Sequence, residues 1–146
     1  MPIYSSMLDP ISASTAITLL QLRTSTSSVV EILRVWVGAS TTTSTAVQIQ
    51  FVRKTASATG TTSASVYKLH PNDPAASASV GTFATGEGTD GDVLYRDTFN
   101  ALNGWLYLPV PEERITIGPS AAFGIKLPVA PTATVLNVGI TWREMG

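Results

Sequence analysis

Residues 47–53 read Val47-Gln48-Ile49-Gln50-Phe51-Val52-Arg53, and residues 136–142 read Leu136-Asn137-Val138-Gly139-Ile140-Thr141-Trp142. In the first, Val47, Ile49 and Phe51 alternate with glutamines. In the second, Leu136, Val138, Ile140 and Trp142 alternate with Asn137, Gly139 and Thr141. A period of two sends successive side chains to opposite faces, so both stretches predict strands with one face on a core.

The same reading extends outward along the chain. Phe123, Ile125 and Leu127 alternate with Ala122, Gly124 and Lys126. Val29 to Val37 is apolar on both faces apart from Glu31 and Arg34, which predicts a central strand covered on both sides. Strands are also expected at Ala16–Leu22, Ser65–Leu69, Val93–Phe99, Trp105–Leu108 and Ile115–Ile117. Turn signals separate them: Gly38-Ala39-Ser40, the run from His70 to Pro74, Asn103-Gly104, Gly118-Pro119-Ser120 and the prolines at 128 and 131. Asn103-Gly104 between Leu102 and Trp105 is a hairpin signal, because both residues tolerate positive φ. Pro74 to Val80 offers at most one helical turn. Three stretches, Ala39–Ala46, Thr55–Ser65 and Ala75–Ser79, are nearly all Ala, Ser, Thr and Gly. They read as mobile loops or as places where chains approach closely. The fold expected is a single-domain, all-β, jelly-roll-like sandwich spanning residues 11–146, with a long loop from Pro71 to Asp92. Residues 1–10 read as a short extended arm, bracketed by Pro2 and Pro10. Its apolar Pro2, Ile3, Tyr4, Met7 and Leu8 are expected to be disordered alone and to order against a neighbouring chain.

Composition narrows the function. Charged residues are 13% of the 146, about half the usual share of ~25%. In their place stand 15 Ser and 20 Thr. A surface so poor in charge suits burial against protein, since interface cores shed charge to avoid its desolvation. A neutral, hydroxyl-coated soluble surface fits the composition equally well. The net charge of −1 and the three scattered lysines lack the basic excess that nucleic-acid binding needs. The chain has no cysteine, so disulfides and thiolate chemistry are excluded. No apolar run approaches the ~20 residues of a membrane span, and MPIYSSMLDP does not read as a secretory signal.

The residues that could carry chemistry do not assemble a catalytic pattern. His70, the single histidine, lies three residues from Asp73 in a proline-bracketed turn. A triad needs an acid on one imidazole nitrogen and a nucleophile on the other. Glu87, Asp90 and Asp92 lie among glycines in GEGTDGDV, but their spacing is not that of an EF-hand loop. A solvated acidic loop is the simpler reading. Glu112 and Glu113 are adjacent, so an extended chain points them opposite ways; they read as an exposed turn that pairs with Arg114. Gly86, Gly88 and Gly91 precede a strand, whereas a phosphate cradle opens a helix. Trp36 and Trp142 read as core. Trp105 and Tyr107 share one face of a short strand and read as an exposed, partner-facing patch. No catalytic, cofactor-binding or metal-ligating residue is assigned.

Three segments, VYKLHPNDPAA (66–76), EGTDGDVLYRDTFNALNGWLYLPVPEERITIGPS (87–120) and AAFGIKLPVAPTATVLNVGITWREMG (121–146), resemble the head-decoration, or cement, proteins of tailed bacteriophages. The resemblance covers residues 29 to 146 and rests on texture and on the C-terminal strand pair. It implies an oligomeric, expectedly trimeric, β-sandwich on the outer capsid, assembled in host cytoplasm and released by lysis. Its partners would be the major capsid protein and further copies of itself, with no cofactor, no nucleic acid and no membrane. A fibre-tip or carbohydrate-binding sandwich, which would need an exposed aromatic platform, and a hydrolase of unrecognised type are the rival readings.

Overall fold

The computed structural model describes residues 1–82 and 85–146. It is an all-β sandwich of two antiparallel sheets, with one 3-10 turn at Pro111–Glu113 as the only helical piece among the described residues. The strands are β1 (Ile3–Met7), β2 (Ile11–Ala13), β3 (Ile17–Arg23), β4 (Val29–Ser40), β5 (Ala46–Ala56) and β6 (Val66–Lys68). They continue with β7 (Ser79–Thr82), β8 (Thr89–Asn100), β9 (Trp105–Tyr107), β10 (Thr116–Ile117), β11 (Ala122–Leu127) and β12 (Thr134–Met145). One sheet has seven strands in the order β10-β4-β12-β1-β6, with β9 also on β4 and β2 also on β12. The other has five, β7-β3-β11-β5-β8. This arrangement is compatible with a jelly roll.

The alternating stretches behave as their period demands. Val47, Ile49 and Phe51 point inward, as do Leu136, Val138, Ile140 and Trp142, each of these at most 3% exposed. They meet Leu19, Leu20, Leu22, Ile32, Ile125 and Leu127 between the sheets. β4 departs from expectation in one respect. Its inner residues are Val30 and Ile32, then Val35 and Val37, so the inward parity switches between 32 and 35. The register against β12 shifts at that point, with Thr141 opposite Arg34 but Trp142 opposite Ile32. One extra residue in a strand does this: it bulges and re-aims the chain. The strand is therefore covered on one face only, and its outer face keeps Arg34 exposed and Trp36 half-buried.

The N-terminal arm is corrected by the structure. Residues 3–7 are not an appendage but strand β1, paired along its whole length with β12 and over residues 4–6 with β6. Tyr4 is fully buried against Trp142, ring centroids 5.9 Å apart. The buried Leu8 donates its amide to the Val138 carbonyl at 2.9 Å. Ser6 is fully buried as well, its hydroxyl donating to the Ser65 carbonyl at 2.8 Å. Ile3, Ser5 and Met7, at alternate positions, face outward.

The small-residue stretches lie largely between strands, as loops, yet two of their alanines are buried. Ala58 is fully buried, its amide donating to the Gln21 side-chain oxygen at 2.8 Å, and Ala78 is 5% exposed. The one-turn helix considered for residues 74–80 is absent: Ser79–Thr82 is strand β7, paired with β3. The span read as a loop from 71 to 92 holds β7 and the start of β8, and its residues 83 and 84 lie outside the described residues.

Candidate functional site

The outer face of the seven-stranded sheet is built from registered rows. Leu106 of β9 lies opposite Trp36 of β4, Trp36 opposite Gly139 of β12, and Gly139 opposite Met7 of β1. Gly139 is a glycine for a local reason. The Trp36 indole lies across it, and a Cβ there would sit 2.0 Å from the indole Cζ2. The Arg34 guanidinium covers the other part of that indole, 4.3 Å from the ring centroid. The next row runs Arg34, Thr141, Ser5, Tyr67. Beyond it, Glu31 is paired with Arg143 and, at 3.8 Å, with Arg114. Arg114 thus serves Glu31 rather than Glu112 or Glu113. Gly139, Ser5 and Thr141 put small side chains in these rows. Of the charges on the face, Glu31 is already neutralised, while Arg34 is exposed.

Trp105 and Tyr107 are placed otherwise than expected. They turn toward the ring cluster between the sheets rather than standing exposed. Tyr107 is 9% exposed, and its ring stands edge-on to Phe51 at 5.0 Å and to Tyr95 at 5.0 Å. Burial raises the Tyr107 phenol above its ordinary value, and the neighbouring Tyr95 and Glu113 add to the effect. The half-buried Trp105 donates its indole N–H to the Asp97 carboxylate at 3.0 Å. Together these rings close the sandwich between β8 and β9. The outward positions are the alternate ones: Leu106 is 58% exposed and Leu108 66%. The signal was present in the sequence, because a strand with Trp105 and Tyr107 on one face must put Leu106 and Leu108 on the other.

Beside them lies a groove of about 440 Å³ bounded by Leu94, Tyr95, Leu106, Leu108 and Glu113. At the far end of the seven-stranded sheet, β6 is an edge strand carrying Tyr67 and Lys68, with Leu69 following.

The remaining candidates are accounted for by structural contacts. The Lys54 side chain is fully buried and donates to Asp90 at 2.6 Å and to the Glu87 carbonyl at 2.7 Å. Lys126 donates to the other Asp90 oxygen at 2.6 Å. The Glu87 carboxylate accepts from the Thr18 amide at 2.9 Å and from the Thr18 hydroxyl. Burial raises the Asp90 carboxyl, but Lys126 and Lys54 outweigh it and hold it below the usual carboxylate value. These two carboxylates therefore tie residues 87–90 to the five-stranded sheet. His70 stands on an exposed turn with its Nδ1 4.0 Å from Asp73. Among the described residues no cluster of three or more His, Asp and Glu could hold a metal ion. Among the described residues no helix is long and apolar enough to cross a membrane.

No family model, curated protein or solved structure matches the chain. The site is therefore read from its own geometry.

Proposed function

We propose that this chain is a capsid decoration protein, acting by binding rather than by catalysis, that seats the outer face of its seven-stranded sheet on neighbouring major capsid proteins. The observation that carries the reading is the Trp36–Arg34 stack among small residues, with the nearby Glu31 already paired to Arg143 and Arg114. Trp and Arg dominate the energetics of protein interfaces, where near-neutral contacts around them exclude water. The low charge of the whole chain and the resemblance of residues 29–146 to phage cement proteins support the same reading. The mechanism is mass action. A ligand that binds the assembled shell and not its free subunits stabilises the shell in proportion to the logarithm of its excess over Kd.

The test is survival of expanded capsids under heat or low salt, with and without the protein. Protected shells are expected with the wild type. Trp36→Ala and Arg34→Glu, which alter a half-buried and an exposed position, are expected to fold and to lose occupancy. Equal survival of bare and decorated shells sinks the clamp mechanism and moves a fibre-tip or glycan-binding module ahead.

A further inference from the structure

Lys54 of β5 and Asp90 of β8 stand directly opposite one another in the antiparallel register. The Lys54 side chain is 0% exposed, and its Nζ lies 2.6 Å from Asp90 Oδ1. Taking an ammonium out of water is costly, and a close carboxylate offsets only part of that cost. A second cation converges on the same acid: Lys126 Nζ is 2.6 Å from Asp90 Oδ2. The Glu87 carboxylate completes the group, with its Oε2 3.6 Å from Lys54 Nζ. It is held there by the Thr18 amide at 2.9 Å and by the Thr18 hydroxyl. An amine, a carboxyl group, an anchored base and a second cation are thus gathered at one place on the five-stranded sheet.

We propose that Lys54 and Asp90 condense to an amide, a covalent cross-link between β5 and β8 that the folded chain forms by itself, with Glu87 carrying the proton and Lys126 stabilising the oxyanion. The ion pair is the starting state. Lys54 passes one proton to Asp90 Oδ1 through their hydrogen bond, which leaves a neutral amine beside a neutral carboxyl group. The Nζ lone pair bonds to Cγ, and the C=O π electrons move to Oδ2. Lys126 faces that oxygen, so the cation that helps keep Asp90 ionised beforehand also meets the negative charge as it develops. The new ammonium gives a proton to the Glu87 carboxylate, which hands it to the protonated Oδ1. The Cγ–Oδ1 bond breaks, water leaves, and the π bond to Oδ2 is restored. Two of the three ammonium protons depart with the water and one stays on the amide nitrogen. Glu87 and Lys126 end as they began, and the step uses no oxidant, metal or cofactor. Fixed proximity supplies what a free amine and a free carboxylate lack, because strand register holds the reacting atoms together.

Both lysines touch Asp90, and the base selects between them. Among the described ion pairs Glu87 meets Lys54 and not Lys126, and Lys126 is 17% exposed where Lys54 is sealed. The link joins residues 36 apart and fastens β8, the last strand of its sheet, to the one strand it pairs with. It needs no capsid, so it stands or falls separately from the shell-binding reading.

The experiment is mass spectrometry of the denatured intact chain, followed by protease mapping. The wild type is expected to be lighter than its sequence by one water and to release a branched peptide joining Lys54 to Asp90. Lys54→Arg is expected to lose no water, to give no branch and to melt at a lower temperature. Glu87→Gln, checked for folding by its melting, is expected to link at least about 100-fold more slowly, the usual loss on removing a general acid–base group. Asp90-Gly91 can also shed one water by closing to a cyclic imide, but that product carries no branch and persists in Lys54→Arg. A wild type that keeps the whole mass of its sequence, a water lost only as the imide, a branch at Lys126, or a Glu87→Gln chain that links as fast as the wild type each overturns the inference.

Discussion

At the scale of single residues, Glu144 gathers five hydrogen bonds onto one buried carboxylate. It is 8% exposed and points inward from β12. Its carboxylate accepts from the Ser77 amide at 3.0 and 3.1 Å, the Ser77 hydroxyl at 2.8 Å and the Ala78 amide at 2.9 Å, with the Trp142 indole N–H at 3.4 Å. One carboxylate thereby pins a small-residue segment that has no apolar side chain large enough to hold itself down. Burial raises this carboxyl, yet the donors from Ala78, Ser77 and Trp142 together hold it below the usual carboxylate range. The sign of the pH dependence follows. A folded value below the unfolded one contributes stability that is complete above the ordinary carboxylate pKa of about 4.3, declines as pH drops below it, and is gone once pH has passed under the folded value. Glu144→Gln puts amide hydrogens against the Ser77 and Ala78 donors and is expected to cost about 1–3 kcal/mol at neutral pH. Denaturant titrations of both proteins across the acid range check this: the gap should narrow as pH falls. A gap independent of pH would show that shape, not charge, is what the substitution removed.

At the scale of elements, β1 changes the meaning of the N-terminus. A detachable arm could be deleted without loss of fold. A strand between β12 and β6 cannot, because its removal strips backbone partners from both neighbours and uncovers Trp142. Deletion of residues 2–8 is expected to abolish cooperative unfolding. The milder Tyr4→Ala, which empties a fully buried ring site, is expected to cost about 3–5 kcal/mol, the range for losing a large core aromatic. Equilibrium unfolding followed by tryptophan fluorescence measures it, since Trp142 packs on the lost ring. A loss under about 1 kcal/mol, the size of an ordinary exposed substitution or less, would mean that β1 is only loosely docked.

At the scale of the whole molecule, paired charges tie down both sheets, Glu31 with Arg143 and Arg114 on the seven-stranded one and a lysine–carboxylate cluster on the five-stranded one. Lys54, Lys126, Glu87 and Asp90 engage one another beside β5 and β11, while Arg34 is left exposed on the opposite sheet. Gly124 makes room for this: a Cβ there would come within 3.0 Å of the Lys54 Cε. His70 takes no part in either arrangement. His70→Ala is expected to change stability by no more than about 0.5 kcal/mol, as for other exposed positions without special contacts. It should also leave shell protection unchanged. Thermal melting and the capsid survival assay check the two halves of that expectation. A loss of protection without a loss of stability would place His70 in a binding surface.

What the sequence determined by itself is the all-β class and the inner face of the strands that alternate. Val47-Ile49-Phe51 and Leu136-Val138-Ile140-Trp142 could be assigned because a period of two is a local property of the chain, readable without knowing any partner. The bulge in β4 was not legible there, because Val29 to Val37 is apolar on both faces and only the register against β12 reveals the switch. The tertiary structure decided the rest. Residues 3–7 look like an arm because a five-residue segment with two serines carries no signal of its own strength; they become a strand only because β12 and β6 offer partners on both sides. Ala58 and Ala78 lie in loops yet are buried, because small side chains are equally at home in solvent and in a close backbone approach, and only the neighbouring sheet determines which. The direction in which Trp105 and Tyr107 point followed from the ring cluster of Phe51 and Tyr95 on the facing sheet. The outer face of the seven-stranded sheet was hidden for the same reason: Trp36, Gly139, Ser5 and Tyr67 are far apart in the chain, and hydrogen-bond register between strands is what brings them onto one face.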